Sequence, residues 1–215
     1  MAELRQGAYG QYYGCPFTES HALTQAQMEV NAGYIYSSLA DGGWTAEAVA
    51  AILGNMQHES SINPGRWQSD RVGNTSSGYS LVQWTPANNY ISWCNDMGLD
   101  PSEMDSALAR IIYELNTGQQ YYATPAYPLS FREFTQSMDN PYTLACAFAW
   151  NYERSYTVLY GTEAEKEALR QKRGGAARAW YEYLTGIDPG EPVTPVKKKK
   201  GLPLLLMWQA TRRRV

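Results

Sequence analysis

Glu59 is the residue whose type and position most clearly suggest chemistry. Residues 45–60 run Thr-Ala-Glu-Ala-Val-Ala-Ala-Ile-Leu-Gly-Asn-Met-Gln-His-Glu-Ser, which predicts a helix capped by Thr45, with Glu47 in the first turn where a carboxylate complements the helix dipole. Val49, Ile52, Leu53 and Met56 form an apolar stripe at helical spacing. Glu59 extends that stripe, three positions after Met56 and seven after Ile52, so its carboxyl is expected on the core-facing side of the last turn. Apolar surroundings and the negative helix end both favour the neutral acid there, the form that protonates the leaving oxygen of a glycosidic bond. The alternative is an exposed helix-end carboxylate. His58 points about 100° away around the helix and is read as a neighbour.

A second chemical signal lies downstream. Gly-Tyr-Ser-Leu-Val-Gln-Trp at 78–84 reads as an aromatic strand carrying Gln83 beside Trp84, an amide for sugar hydroxyls or an N-acetyl group next to a face for a sugar ring. An aromatic core strand is the alternative. Cys15, Cys94 and Cys146 are odd in number and widely spaced, which fits neither a disulfide framework nor a zinc ribbon and reads as small core residues. With two histidines, His21 and His58, a Cys–His hydrolase requires the fold to bring Cys15 or Cys94 against one of them.

The elements that must position these groups are mostly helical. Met28, Ala32, Ile35 and Leu39 predict a helix that Asp-Gly-Gly at 41–43 stops. Thr-Pro at 85–86, Asp-Pro at 100–101 and Asn-Pro at 140–141 signal further helix starts. Ser130 with Glu133 and Thr162 with Glu165 have capping-box spacing. Residues 62–80 lose helical period in favour of Asn, Pro, Gly, Ser and Thr, and read as a loop or small β-hairpin inserted among helices. The Gly- and Tyr-rich start is an extended arm packed on the body. The expected organisation is an arm at 1–23, a helical domain at 24–187 and a Pro-rich linker with a basic, apolar tail at 188–215.

Composition bounds the function. Of 215 residues 44% are hydrophobic and 18% charged, with Tyr 17, Trp 7 and Phe 4, which excludes a mainly disordered chain. Residues 191–215 carry seven Lys/Arg and one acid, whereas 1–190 carry 11 basic and 20 acidic residues. So acidic a body argues against nucleic acid as a partner. The start lacks a basic segment followed by an apolar one, so no signal peptide is expected, and no apolar run is long enough to span a bilayer.

Three ordered segments carry a family resemblance: Gly-Asn-Met-Gln-His-Glu-Ser-Ser-Ile-Asn-Pro-Gly-Arg-Trp-Gln at 54–68, Gly-Tyr-Ser-Leu-Val-Gln-Trp-Thr-Pro at 78–86 and Ala-Phe-Ala-Trp-Asn-Tyr-Glu-Arg at 147–154. Together they resemble the phage tail lysozyme family, related to goose-type lysozymes and soluble lytic transglycosylases, over about residues 28–184. The resemblance implies a mainly α (α+β) lysozyme-like fold with a small β-hairpin or loop subregion beside the catalytic helix. It also implies cleavage of the β-1,4 bond between N-acetylmuramic acid and N-acetylglucosamine in peptidoglycan, with Glu59 as general acid and no metal or cofactor. Ser60 matches the serine that commonly follows the catalytic glutamate, where its hydroxyl would orient the carboxyl or cap the chain exit. Asn151 and Tyr152 match a transglycosylase Ala-Tyr-Asn segment loosely. Glu153 matches a family motif or is a structural partner of Arg154 or another cation.

An inverting mechanism needs a base about 6.5–9.5 Å from the acid. Asp70 in the polar segment is the first candidate, a solvated loop carboxylate the alternative. Without a positioned base, attack by the muramic acid 6-hydroxyl would give a 1,6-anhydro product. Trp67, Tyr79, Trp84 and Tyr90 are candidates for saccharide stacking or for ordinary core. The expected setting is a phage virion tail, or release from the host on lysis. The C-terminal tail is expected to be a solvated end, the alternatives being that it engages other tail proteins or makes superficial contact with a membrane. Two rival readings are a non-catalytic tail component that binds glycan or assembles, and a wall peptidase built on Cys15.

Overall fold

The computed structural model describes residues 1–187; the linker and tail expected at 188–215 lie outside the described residues. β1 (Glu3–Gly7) and β2 (Gly10–Gly14) pair antiparallel, with Glu3 opposite Gly14 and Arg5 opposite Tyr12. The chain then forms α1 (Gln25–Asp41), α2 (Ala46–Ser60), a 3-10 turn at Gln68–Asp70, α3 (Ala87–Met97), α4 (Met104–Thr117), α5 (Phe131–Gln136) and α6 (Pro141–Phe148). A π-helical turn (Ala149–Glu153), α7 (Tyr156–Tyr160) and α8 (Glu163–Thr185) follow. The protein is mainly α with a small β part, as the sequence suggests. Among the described residues no helix is long and apolar enough to cross a membrane.

Local sequence accounts for most helix starts. The Thr45 hydroxyl accepts from the Ala48 N–H, and Ser130 with Glu133 and Thr162 with Glu165 form reciprocal capping boxes. Pro141 opens α6 behind an Asn140 cap. The other two prolines precede their helices. Pro86 is the N-cap of α3, and α4 begins only at Met104 because Asp100 Oδ1 accepts from both the N–H and the hydroxyl of Ser102, at 2.8 Å each, holding a turn there.

α2 is the central element. The sequence predicts one buried stripe, but the helix is buried nearly all round, from Glu47 to Met56. Ala48, Ala50, Ala51 and Gly54 allow this, because small side chains let α6 and α8 approach from different sides. A Cβ on Gly54 would lie 2.7 Å from both the Ala177 nitrogen and the Arg173 carbonyl oxygen, so the α2–α8 contact requires glycine.

Of the two readings of 62–80 the loop holds, while the hairpin lies in the arm, which packs into the core: Tyr12 and Cys15 are fully buried. Residues 78–84 form a turn rather than a strand, closed by single bridges between Tyr79 and Trp84 and between Trp67 and Tyr79. Ser80 and Gln83 adopt left-handed backbone at φ 72° and 53°, and Gln83 Nε2 donates to the Arg66 and Ser80 carbonyls. These tertiary bonds override the strand-like pattern.

Candidate functional site

Glu59 occupies the last turn of α2, where the chain leaves through two left-handed residues, Ser61 (φ 56°) and Ile62 (φ 53°). Such a φ is an outlier for a β-branched residue. The Asn31 amide holds it by donating to the Ile62 carbonyl at 2.7 Å. The Ser60 hydroxyl donates to the Met56 and Leu81 carbonyls at 3.2 and 2.9 Å. Fully buried, Ser60 ties the helix end to the 79–84 turn, the chain-exit role that is the alternative to orienting the carboxyl.

Three elements meet at the Glu59 carboxyl. From α8, Arg173 Nη2 donates to Glu59 Oε1, and the same nitrogen lies 3.6 Å from Glu153 Oε2 in the π-helical turn. Arg173 Nη1 donates to the Asn55 carbonyl of α2 at 2.6 Å. Glu59 keeps 22% of its side-chain surface, whereas Glu153 keeps 6% and Arg173 8%. Burial, then the nearby Glu59 charge, pushes the Glu153 carboxyl well above the usual carboxylate range, with Arg173 opposing. The arrangement is one partly accessible carboxyl backed by a buried carboxyl and a buried guanidinium. Removing one partner from such a group leaves an uncompensated buried charge, at a cost of about 3–5 kcal/mol.

His58, the neighbour of Glu59 in the sequence, reaches α8. Its Nε2 lies 3.3 Å from the Lys172 carbonyl. Burial first, then Arg173 and Lys172, lowers its pKa to about 4.

Asp70 sits in the 3-10 turn, 44% exposed at the side chain. Arg66 donates to both of its oxygens, Nε to Oδ1 at 3.0 Å and Nη2 to Oδ2 at 3.1 Å, and Ser20 Oγ donates to Oδ1 at 2.7 Å. Through Arg66 Nη1, 3.0 Å from Ser61 Oγ, Asp70 is linked to the segment that follows Glu59.

The remaining predicted sugar contacts are internal. Trp67, Tyr79 and Tyr90 have no exposed surface, and Trp84 has 6%. Trp67 packs on Phe17 and Tyr79 at 5.1 and 4.4 Å, and Trp84 stacks on Tyr90 at 4.3 Å, so these rings bind the arm and turn to the body. Gln83 spends its amide hydrogens within the turn, and its buried Oε1 has no partner. Asn151 donates to Tyr121 Oη and the Tyr127 carbonyl and accepts from Thr124, pinning the 121–127 loop. Tyr152 donates to Glu114, which also accepts from Trp84 Nε1 and Arg110 Nε. The side chains of these seven residues are thus engaged in packing and internal hydrogen bonds rather than turned to solvent as sugar contacts would be.

Sequence reasoning missed Arg173 and named Glu153 only as one of several possibilities. The signal for Arg173 was present: Arg173, Ala177, Trp180 and Tyr181 form one buried face of α8, so the stripe rule that selects Glu59 also selects Arg173. An exposed ring lies next to the Glu153 turn. Tyr122 is 54% exposed, with the Arg154 guanidinium 4.5 Å from its ring centroid.

Cys15 does meet a histidine. Its sulfur lies 3.5 Å from His21 Nδ1 and 3.4 Å from Nε2, nearly equidistant and so on the axis of neither nitrogen. Asn63 Nδ2 donates to that sulfur and to the His21 carbonyl. A thiol with no accessible surface fills the core and offers no attacking atom to a peptide, contrary to the peptidase reading.

Comparison with known proteins agrees with the motifs. A family model described as phage tail lysozyme matches residues 30–184, which bears out the resemblance drawn from the three segments. Morphogenesis protein 1 of Bacillus phage B103 is 39% identical over 170 residues, 79% of this chain and 43% of that protein. The chain thus spans less than half the length of that relative.

Proposed function

This chain belongs to the phage tail lysozyme family, and from that premise we propose that it is a muramidase that opens peptidoglycan locally during phage infection. Glu59 protonates the glycosidic oxygen between N-acetylmuramic acid and N-acetylglucosamine. The observation that carries this reading is the contrast in exposure among core-facing carboxyls. Glu114 at 1% and Glu153 at 6% are enclosed by protein, whereas Glu59 at 22% retains an accessible edge. An acid must reach its substrate to act on it. Tyr122 and Arg154, exposed beside the Glu153 turn, are the groups offered to a sugar.

Asp70 is the proposed base for a hydrolytic outcome. Because Arg66 engages both of its oxygens, a second reading is favoured alongside: a lytic transglycosylase in which the muramic acid 6-hydroxyl attacks and a 1,6-anhydro sugar forms. The name of the B103 relative, morphogenesis protein, suits a component of the phage particle, so delivery with the virion tail is proposed over release on lysis. A purely structural or glycan-binding role makes a different prediction. Purified cell walls should lose turbidity with the wild-type chain and keep it with Glu59→Gln, whereas a binder leaves the walls intact in both cases.

A further inference from the structure

We propose that Glu59 and Glu153 form a carboxyl pair that holds one proton between them, with Glu153 as the positioning residue that stores the proton Glu59 delivers. This rests on the reading of Glu59 as general acid and adds where its proton resides. Three observations point to it. The two carboxyls flank one guanidinium nitrogen, Arg173 Nη2, which donates to Glu59 and lies 3.6 Å from Glu153. Glu153 Oε1 is buried with no hydrogen-bond partner. A bare carboxylate oxygen in that position is costly, whereas a carboxyl proton there supplies a donor. Because both carboxyls lie against the same guanidinium nitrogen, they are neighbours, and the Glu59 carboxyl is the acceptor such a proton requires.

One cation cannot neutralise two adjacent carboxylates, so one proton completes the balance, and its titration belongs to the pair. The charged and titratable groups around the pair are Arg173 on α8, which reaches both carboxyls, and His58 on α2 with its neighbour Lys172 on α8. In the resting state the proton sits on Glu153, and the Glu59 carboxylate faces Arg173. Transfer across the carboxyl contact breaks the Glu153 O–H bond and forms a Glu59 O–H bond. Glu59 then gives that proton to the glycosidic oxygen as the C–O bond breaks and its electron pair leaves with that oxygen. Arg173 faces the transient pair of carboxylates. The proton lost by the attacking hydroxyl, from water or from the sugar, restores the count.

The test is the pH profile of wall cleavage by wild type and Glu153→Gln. The glutamine keeps the shape and cannot hold the proton, so the alkaline limb should move to lower pH by about one unit or more. Activity at pH 7 should fall by about tenfold or more, with the deficit shrinking towards pH 5. A profile that keeps its shape, whether unchanged or uniformly scaled down, overturns the proposal, because a merely structural glutamate would lower rates at every pH. A residue-assigned carboxyl carbon NMR titration of the wild-type chain needs neither a variant nor activity. Glu153 should keep the signal of a neutral acid at pH 6 and respond to the titration of Glu59. Independent titration of Glu153 in the ordinary carboxylate range refutes the pair. A wild-type chain that cleaves no glycan would overturn the muramidase reading instead, while the titration would still decide the proton's place.

Discussion

Gly54→Ala places a single methyl group where α2 meets α8. The added Cβ would stand 2.7 Å from the Ala177 nitrogen and the Arg173 carbonyl oxygen and 2.9 Å from the Ala177 Cα. All three are backbone atoms, so no side-chain rotation relieves the overlap, and α8 must move outwards. With all three contacts under 3.0 Å, the overpacking costs about 2–3 kcal/mol, the upper part of the usual range, and the alanine regains about 1 kcal/mol of helix propensity. We expect a net loss of about 1–2 kcal/mol, which for a domain of this size lowers Tm by about 2–8 °C. Because α8 also carries Arg173 to Glu59 and to the Asn55 carbonyl, wall clearing measured well below both melting temperatures should fall as well. Thermal unfolding followed by far-UV circular dichroism gives the first quantity and turbidity loss the second. An unchanged or raised Tm would refute the packing argument.

Two further outcomes follow from buried polar groups. Asn31 has no exposed surface and bridges the arm to the end of α2, accepting from the Tyr13 N–H at 2.6 Å and donating to the Tyr13 and Ile62 carbonyls at 2.7 Å each. Asn31→Ala strands these backbone groups and should cost about 3 kcal/mol in urea unfolding; a loss below about 1 kcal/mol would show that water replaces the amide. His58 is depressed in the folded chain from 6.5 to about 4, so between those values the unfolded chain binds more protons and stability is lost as pH falls from about 6.5 towards 4. His58→Gln should make that decline shallower in urea midpoints taken at pH 7, 6 and 5, and parallel declines would remove His58 from the pH dependence.

Local signals proved legible and long-range ones less so. Capping boxes and Asn-Pro starts depend on neighbours within four residues, and they recur in the structure where the spacing predicts them. The stripe through Ile52 and Met56 leads to Glu59 at the end of α2, where Arg173 of α8 meets it. The same rule, applied from Ile111, leads to Glu114, which is locked among Arg110, Tyr152 and Trp84, with burial raising its pKa. An acid on an apolar face is therefore a sign of burial first, and residual exposure is what distinguishes Glu59 from Glu114. Whether Trp67 or Tyr79 faces solvent depends on Phe17, 50 and 62 residues away in sequence, which no local period reveals. Arg173 was hidden by the many charges of α8, although Gly174 and Ala177 beside it mark a close helix contact. In the arm, glycines at both ends of β2 obscured the alternation that turns Tyr12 inwards.

The most direct test of the central claim is mass spectrometry of the soluble products released from purified peptidoglycan by wild type and Glu59→Gln in parallel. The account predicts muramic acid ends from the wild type, reducing for hydrolysis or 1,6-anhydro for the transglycosylase course, and their loss in the variant. Full product release by Glu59→Gln, or no glycan products from the wild type, would contradict it.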